Sequence, residues 1–108
     1  MVIDMEQAKK PRYAISVAAE MCETQTYTLR YYEKIGVLKP ARSPGNIRLY
    51  SEYDLILIRK IQSLMDELGV NLAGVEVILR MSKQLAELQE RNGELENQLQ
   101  ALQANDAK

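Results

Sequence analysis

The chain is 108 residues long, which permits one small domain with an extension, and its formal net charge is −1. It has one cysteine, Cys22, and no histidine, which excludes an internal disulfide and a zinc site built from four Cys or His ligands. It has no run of about 20 apolar residues and no secretion signal, so we expect a cytoplasmic protein that does not span a membrane.

The near-neutral total conceals two halves of opposite charge. Residues 1–61 hold ten Lys and Arg against seven Asp and Glu, whereas residues 62–108 hold four against eight. Physiological salt screens each charge beyond about 8 Å, so local charge decides the attraction for phosphate. The first half is therefore the candidate for a basic functional face, and the second half for an acidic, solvated remainder.

Two short helices are predicted to follow a flexible arm over residues 1–12. Ser16 has the character of an N-cap for a helix over residues 17–21. A turn then leads to a second helix over residues 26–34, which Gly36 can terminate. The spacing of three apolar positions predicts one core-facing side for this second helix. These positions are Leu29, Tyr32 and Ile35.

Residues 37–50 cannot continue the helix, because two prolines and a glycine interrupt it. Val37-Leu38 and the segment from Ile47 to Tyr50 can instead pair as two short strands around a loop at residues 42–46. The sequence therefore predicts a small β-hairpin directly after the second helix.

A third helix is predicted to begin after Ser51, a good N-cap, with Asp54 completing a weak capping box. It extends to about Leu68, and Gly69 stops it. Asn71 then caps a fourth helix that begins at the next residue. The apolar positions along one side of the third helix are Leu55, Ile58, Ile61, Leu64 and Leu68.

The fourth helix carries a heptad pattern over residues 78–102, in which apolar positions alternate steps of three and four. Such a helix would extend about 37 Å at about 1.5 Å per residue, and it is poorly stable alone in water. A second copy of the chain is the simplest partner. Asn92 occupies an a position, where a buried Asn commonly fixes register. The predicted dimerisation residues are Ile78, Met81, Leu85, Leu88, Asn92, Leu95, Leu99 and Leu102.

The segment from Thr24 to Ser51 combines five basic residues with one acidic residue, Glu33, and four tyrosines. Lys and Arg neutralise phosphates, and Arg also reads guanine in the major groove. A cationic helix followed by a cationic loop is typical of a groove-inserting helix with a wing, although solvated surface Arg and Lys would look the same. The side chains that suit these contacts are Tyr27, Arg30 and Tyr31 on the helix, and Arg42, Asn46 and Arg48 in the loop.

The remaining polar, aromatic and sulfur-containing residues are predicted to have structural rather than functional roles. Tyr32 is assigned to the core, and Cys22 to a turn or core position rather than to redox or metal chemistry. The glutamates of the fourth helix form its solvated face. No Ser/His/Asp set, glycine-rich phosphate loop or paired-acid site is present, so we expect neither an enzyme nor a cofactor.

These motifs together resemble the DNA-binding domain of the MerR family over about residues 13–81. The resemblance rests on the helix-turn-helix, the string from Leu29 to Glu33, and the string from Gly36 to Leu38. Two further strings, residues 13–20 and 69–75, are similar to the HspR-type heat-shock repressors, although the second is also similar to glutamine-synthetase repressors of the same family. The remaining matching positions are Pro40, Arg42, Arg48, Tyr50 and Ser51.

The resemblance implies a fold that is dominated by α-helices. A flexible arm over residues 1–12 would precede a winged helix-turn-helix DNA-binding domain over residues 13–77. A long coiled-coil dimerisation helix over residues 78–104, antiparallel in this family, and a tail over residues 105–108 would follow. By resemblance, Tyr50 joins the wing contacts. The resemblance also places Tyr27 and Arg30 at helix contacts and Arg42 and Arg48 at wing contacts. Together with the chemistry of the segment, the predicted DNA-binding residues are Thr26, Tyr27, Arg30, Tyr31, Arg42, Asn46, Arg48 and Tyr50.

The resemblance also implies partners. These are double-stranded DNA with an inverted repeat, a second copy of the chain, and the chaperone DnaK as corepressor, in a nucleoid-associated repressor of heat-shock genes. Many members carry Gly-Tyr-Arg in the wing where this chain has Asn46-Ile47-Arg48, which removes a possible hydroxyl contact to phosphate. A nitrogen-metabolism repressor linked to glutamine synthetase, and a MerR-like chaperone modulator that binds protein rather than DNA, are the alternatives.

Overall fold

The computed structural model describes residues 5–106 and confirms a mainly helical winged helix-turn-helix fold followed by a long C-terminal helix. Contacts divide the chain into two units, Met1–Glu76 and Val77–Lys108. The elements in chain order are α1 (Met5–Ala8), α2 (Ile15–Met21), α3 (Thr26–Lys34), β1 (Ala41–Arg42), β2 (Arg48–Leu49), α4 (Glu52–Asp66) and α5 (Leu72–Asp106).

The core of the first unit is formed by apolar side chains from α1, α2, α3, α4, the start of α5 and the connections between them. The α4 positions at three-residue spacing lie on one face and are fully buried, as the sequence predicted. Burying a Leu, Ile or Val side chain fully stabilises the fold by about 1.5–3 kcal/mol. The fully buried side chains are Leu29, Leu38, Tyr50, Leu55, Ile58, Ile61 and Val75.

The predicted core face of α4 is wrong at its C-terminal end. Leu68 is 70% exposed, and Leu64 is only half-buried. The reason is that α4 ends at Asp66, so Leu68 lies beyond the helix and no longer follows its periodicity. Gly69 follows with φ +67, a left-handed conformation that suits glycine and turns the chain toward α5.

Gly36 ends α3 in the way the sequence predicted. Its φ is +87, and its N–H donates to the carbonyl of Glu33 at 3.0 Å. The N–H of Val37 donates to the carbonyl of Tyr32 at 3.1 Å. These two bonds form a Schellman motif, with Tyr32 and Val37 both buried. Ile35, predicted to be in the core, is half-buried.

The wing contains a two-stranded antiparallel sheet, but its first strand is not the predicted one. β1 is Ala41–Arg42, and it pairs with β2 in the register Ala41 to Leu49 and Arg42 to Arg48. Val37 and Leu38, predicted to form the first strand, are both buried. Neighbouring residues of a strand point to opposite faces, so a hairpin strand with one solvated face cannot bury both. These two residues are instead a connection packed into the core.

The start of each long helix is capped by a local side chain, as predicted. Ser51 Oγ accepts from the Asp54 N–H at 3.1 Å, and Asp54 Oδ2 accepts from the Ser51 N–H at 2.9 Å, which completes a capping box. Asn71 Oδ1 accepts from the Gly74 N–H at 2.8 Å. A Cβ on Gly74 would lie 2.7 Å from Val70 Cγ1, so no larger residue fits there without movement.

The predicted N-cap of α2 is wrong. The helix begins at Ile15, and its N-cap is Ala14, which provides no side-chain cap. Ser16 therefore lies inside the first turn and is exposed. The carbonyl of Ala14 accepts from the Ala18 N–H at 2.9 Å, so backbone geometry alone starts this helix.

The predicted flexible arm does not describe residues 5–12. Ala8 of α1 is 3% exposed. The N–H groups of Arg12 and Tyr13 both donate to the carbonyl of Tyr50, at 3.0 and 2.9 Å. The N–H of Tyr50 donates back to the Tyr13 carbonyl at 2.7 Å. This bridge ties the N-terminal segment to the exit of the wing; residues 1–4 of the predicted arm lie outside the described part.

Candidate nucleic-acid interface

The outer face of α3 carries the side chains that the sequence identified as DNA contacts. Tyr27 is 70% exposed, Tyr31 is 51% exposed and Arg30 is also exposed. They are three and four residues apart, so they share one face of the helix. The opposite face holds Leu29 and Tyr32 in the core, which fixes the direction in which the outer face points.

Two further residues complete this face. Thr26 is the first residue of α3 and is half-buried. Lys34 follows Tyr27 by two turns and is exposed, but the sequence reasoning did not include it among the contacts. Its spacing from Tyr27 could have identified it. Within residues 5–106, Arg30 has no ion-pair or hydrogen-bond partner, so its donors are available to a ligand.

A carboxylate joins α3 to both strands of the wing. Arg48 Nε donates to Glu33 Oε1 at 2.7 Å. Arg42 Nη2 donates to Glu33 Oε1 at 3.2 Å and to Oε2 at 3.3 Å. The sequence showed Glu33 as the one acid among five bases but gave no reason to pair it. We call Glu33, Arg42 and Arg48 the wing cluster.

The two arginines of the wing cluster differ in what they leave for a ligand. Arg42 also donates from Nη1 to the carbonyl of Asn46 at 3.2 Å, so both of its terminal nitrogens are in use. Among the described residues, Arg48 is bonded only through Nε, which leaves its two terminal nitrogens as donors. Arg42, although its side chain is 39% exposed, therefore mainly supports the wing, and Arg48, at 27%, is the better candidate to contact phosphate because its terminal nitrogens are not already bonded.

The tip of the wing is a tight turn held by Ser43. The Ser43 N–H donates to the Ile47 carbonyl at 2.8 Å, and Ser43 Oγ accepts from the Ile47 N–H at 3.1 Å. Asn46 adopts φ +63, a left-handed conformation that Asn tolerates better than most residues. Asn46 is exposed and Ile47 is 61% exposed, so the tip presents an amide beside an apolar side chain.

Tyr50 is not part of this interface. The sequence prediction placed it among the wing contacts, but the side chain is 0% exposed. Burial raises the pKa of its phenol above the ordinary value, and the hydroxyl has no hydrogen-bond partner among the described residues. A fully buried hydroxyl cannot reach DNA, so Tyr50 is a core residue.

Other titratable groups of the first unit have structural surroundings. Burial raises the pKa of the Cys22 thiol, which follows the end of α2 and is buried, in agreement with its predicted structural role. A hydrogen bond to Glu52 raises the pKa of the Tyr13 phenol. The described residues hold no cluster of three or more His, Cys, Asp or Glu that could bind a metal ion. None of the helices in residues 5–106 is long and apolar enough to cross a membrane.

The seam of the second unit is largely exposed. Asn92 is exposed, and its Nδ2 donates to Glu96 Oε1 on the same helix at 3.3 Å. Ile78 is half-buried. The other seam residues are 52–63% exposed in the single chain. They are Met81, Leu85, Leu88, Leu95, Leu99 and Leu102.

Comparison with solved structures shows similarity to known regulators. HiNmlR, described as a MerR family regulator lacking the sensor domain and bound to promoter DNA, has a TM-score of 0.63 and 27% identity, covering 88% of this chain and 73% of that chain. A MerR family regulator from Bacillus cereus has a TM-score of 0.55 and 32% identity, covering 77% of this chain and 73% of that one.

Curated relatives agree with the structural neighbours. The heat shock protein HspR of Streptomyces coelicolor is 44% identical over 79% of this chain and 56% of its own length. The regulator GlnR of Bacillus anthracis is 29% identical over 76% of this chain and 63% of its own length. The chain thus spans a little over half the length of these relatives, which are not enzymes. The family model for MerR HTH family regulatory proteins matches residues 13–82. The chain belongs to the MerR family of helix-turn-helix regulatory proteins.

Proposed function

We propose that this chain is a sequence-specific DNA-binding regulator that inserts α3 into the major groove and grips the flanking backbone with the wing. The observation that carries the proposal is the outer face of α3, where Arg30 has no partner among the described residues and lies between exposed Tyr27 and Tyr31. An unpaired Arg beside two phenols offers donors for guanine and phosphate. The 27% identical HiNmlR, described as bound to promoter DNA, supports the same role.

The proposed contacts are divided between helix and wing. Arg30 reads a base or binds a phosphate, while Thr26, Tyr27 and Tyr31 offer hydroxyls to the same groove. Arg48 and Asn46 contact the neighbouring backbone, and Arg42 holds the wing in shape. In this division the DNA-binding part is residues 13–77, and residues 78–104 form the dimerisation helix.

We propose that the second unit forms a homodimer through its seam. A solvated helix gains little from its own hydrogen bonds, and most helix stability comes from packing an apolar face. Leu88 and Leu102 are each 63% exposed in the single chain, and the other seam leucines are nearly as open. Covering this row with an identical helix would bury each leucine and give about 1.5–3 kcal/mol for full burial of each side chain.

The spacing of the seam allows an antiparallel arrangement, which is the arrangement that the family resemblance implies. If two antiparallel copies cross at residue 90, each seam residue faces a seam residue of the other copy that is equally far from residue 90. The facing pairs are 78 and 102, 81 and 99, 85 and 95, and 88 and 92, so all eight positions have partners. Antiparallel pairing would place the two DNA-binding parts at opposite ends of the dimer, which matches an inverted repeat.

We further propose that the dimer represses heat-shock or chaperone genes by occluding a promoter, with DnaK as corepressor. The support is the 44% identity to HspR, against 29% to GlnR, the relative that favours the nitrogen-metabolism alternative. Purified DnaK added to a DNA-binding titration should tighten binding, whereas glutamine synthetase should have no effect. The opposite result would favour the nitrogen-metabolism repressor instead. Genomic footprints that lie away from chaperone operons would contradict the proposed target genes.

Replacing Arg30 with Ala tests the DNA-reading role. If Arg30 reads a base, we expect a loss of about 1–3 kcal/mol on the cognate duplex and little change on a scrambled duplex of the same composition. If it only binds phosphate, both affinities should fall alike, and the salt slope should shrink by about one. Anisotropy titrations over a range of salt separate the two. Unchanged affinity for both duplexes would discard the role assigned to Arg30 and would favour the alternative of a chaperone modulator that binds protein.

The orientation of the dimer can be measured by pulsed electron resonance. A nitroxide on Ala104→Cys, in a Cys22→Ala background, lies fourteen residues from the proposed crossing point. In the antiparallel dimer two such labels should be about 42 Å apart, at about 1.5 Å per residue. A parallel dimer would bring them side by side, which would contradict the arrangement. Absence of a dipolar signal at micromolar concentration would contradict the dimer itself.

A further inference from the structure

Glu33 places a negative charge inside an interface that the proposed function requires to bind a polyanion. It is the one acidic residue between residues 24 and 51, and it accepts bonds from both arginines of the wing cluster. Its side chain is 22% exposed, so its charge is only partly screened by solvent. Because Glu33 weakens the attraction of this interface for DNA phosphates, we expect it to contribute to binding in another way.

The geometry of the wing cluster indicates that this contribution is the positioning of Arg48. The shortest bond, 2.7 Å, joins Glu33 to Nε of Arg48, which leaves the terminal nitrogens of that guanidinium free among the described residues. Because Glu33 is on α3 and Arg48 is on β2, the bond sets the place of the wing guanidinium relative to the outer face of α3. Arg42 donates to the same carboxylate and to the Asn46 carbonyl, and these bonds hold the turn at the tip of the wing.

We propose that Glu33 is a positioning residue that determines sequence specificity, by holding Arg48 at one location while it withholds positive charge from non-specific phosphate attraction. The inference rests on the proposed function, in which α3 and the wing bind duplex DNA. Non-specific affinity follows the net positive charge of the interface, whereas specific affinity requires each contact to be in register. Glu33 lowers the non-specific affinity and supports the specific affinity, so it raises the ratio of specific to non-specific affinity.

The test compares wild-type protein with Glu33→Gln, which keeps the size of the side chain and removes its charge. The probes are the duplex that wild-type protein selects from a random-sequence pool and a scrambled duplex of the same composition. We expect affinity for the selected duplex to fall about tenfold, as for the loss of one charge-assisted hydrogen bond. Affinity for the scrambled duplex should rise, because the interface gains one net positive charge. An unchanged ratio of the two affinities would overturn the inference.

A matched control separates position from charge. Glu20 is exposed on α2, and its carboxylate has no ion-pair or hydrogen-bond partner among the described residues, so Glu20→Gln removes the same charge without releasing an arginine. Glu20→Gln should not lower the affinity for the selected duplex. A loss equal to that of Glu33→Gln would show a charge effect alone and overturn the positioning role. Loss of stability is checked by thermal melting, because a destabilised fold would weaken both duplexes in the same proportion.

A second variant keeps the inference testable if Glu33→Gln does not fold. Arg48→Lys retains the positive charge but has no Nε–H to place against Glu33. It should reproduce the loss on the selected duplex without the gain on the scrambled one. In the double variant, Glu33→Gln should add no further loss on the selected duplex. Additive losses would mean that the two side chains act independently, which would overturn the inference.

Failure of this inference differs from failure of the proposed function. If wild-type protein selects no duplex from the pool, or binds selected and scrambled duplexes equally, the DNA-reading function itself fails. If wild type discriminates and Glu33→Gln discriminates as well, only the role of Glu33 is overturned.

Discussion

The two units of this chain use the same residue type in opposite ways. In the first unit Leu29 and Leu55 are 0% exposed, whereas Leu88 and Leu102 in the second unit are each 63% exposed. The first unit covers its apolar residues with its own chain, and the second has a regular apolar row that no described residue covers. The difference indicates that the first unit is stabilised by its own packing, while the helix of the second requires another molecule.

The largest expected effect comes from replacing Leu88 and Leu95 together with Lys. Burying two unpaired charges in the seam costs far more than the lost leucine contacts, so we expect the dimer to dissociate. Light scattering should then give the mass of one chain, 12.3 kDa, instead of about twice that value. DNA affinity should fall by at least a hundredfold, because one DNA-binding part can no longer assist the other.

The control for this experiment lies on the same helix. Glu87 and Glu94 occupy positions outside the seam and are exposed, so replacing both with Lys should leave the mass at two chains. Dissociation in the control would mean that charge rather than the seam governs assembly. A wild-type protein that is monomeric at micromolar concentration would contradict the inference that a second copy covers the seam.

An intermediate effect is expected from Leu55→Ala in the core of the first unit. Leu55 is 0% exposed, and such truncations cost about 2–5 kcal/mol of unfolding free energy. Urea unfolding at fixed protein concentration measures this loss, and light scattering should still give a dimer. Ile56→Ala on the same helix is the control, because Ile56 is 45% exposed and should change stability much less. Equal losses would contradict the assignment of the core.

The smallest effect is expected from Tyr50→Phe. The hydroxyl is buried and has no partner among the described residues, so its removal relieves an unsatisfied polar group. We expect stability to stay the same or rise by about 1 kcal/mol, with no change in DNA affinity. Thermal melting and a binding titration check the two parts. Weaker DNA binding would restore Tyr50 to the interface and contradict its place in the core.

Features decided by neighbouring residues could be predicted from the sequence. The caps at Ser51 and Asn71 were predicted correctly because a cap requires only the right side chain three residues before its donor. Gly36 was predicted correctly for a similar reason. Ser16 shows the limit of such reasoning, because α2 starts at Ile15, two residues before the predicted start, and has no side-chain cap.

Features that depend on distant parts of the chain could not be predicted. Tyr50 has the composition of a wing contact, but its backbone pairs with Tyr13, thirty-seven residues earlier, and its side chain is buried. The pairing of Glu33 with Arg48 depends on how the hairpin folds back toward α3, and the choice of β1 over Val37-Leu38 depends on what the core must bury. Periodicity therefore identified α3, α4, α5 and the outer face of α3, but α1 and the internal contacts of the wing required the structure.

The two glycines of α5 limit its redesign in different ways. Alanine is the better helix former by about 1 kcal/mol, which would recommend replacing both. At Gly74 the added methyl would meet Val70 at the point where Asn71 accepts its backbone bond, so the gain in propensity would be opposed by a steric clash. At Gly93 no atom of the described residues, apart from the neighbouring residues and the backbone of the helix itself, lies within 4 Å of the added carbon, and the position is outside the seam. The long helix can therefore be stabilised near its middle by Gly93→Ala, whereas Gly74→Ala would require Val70 to move.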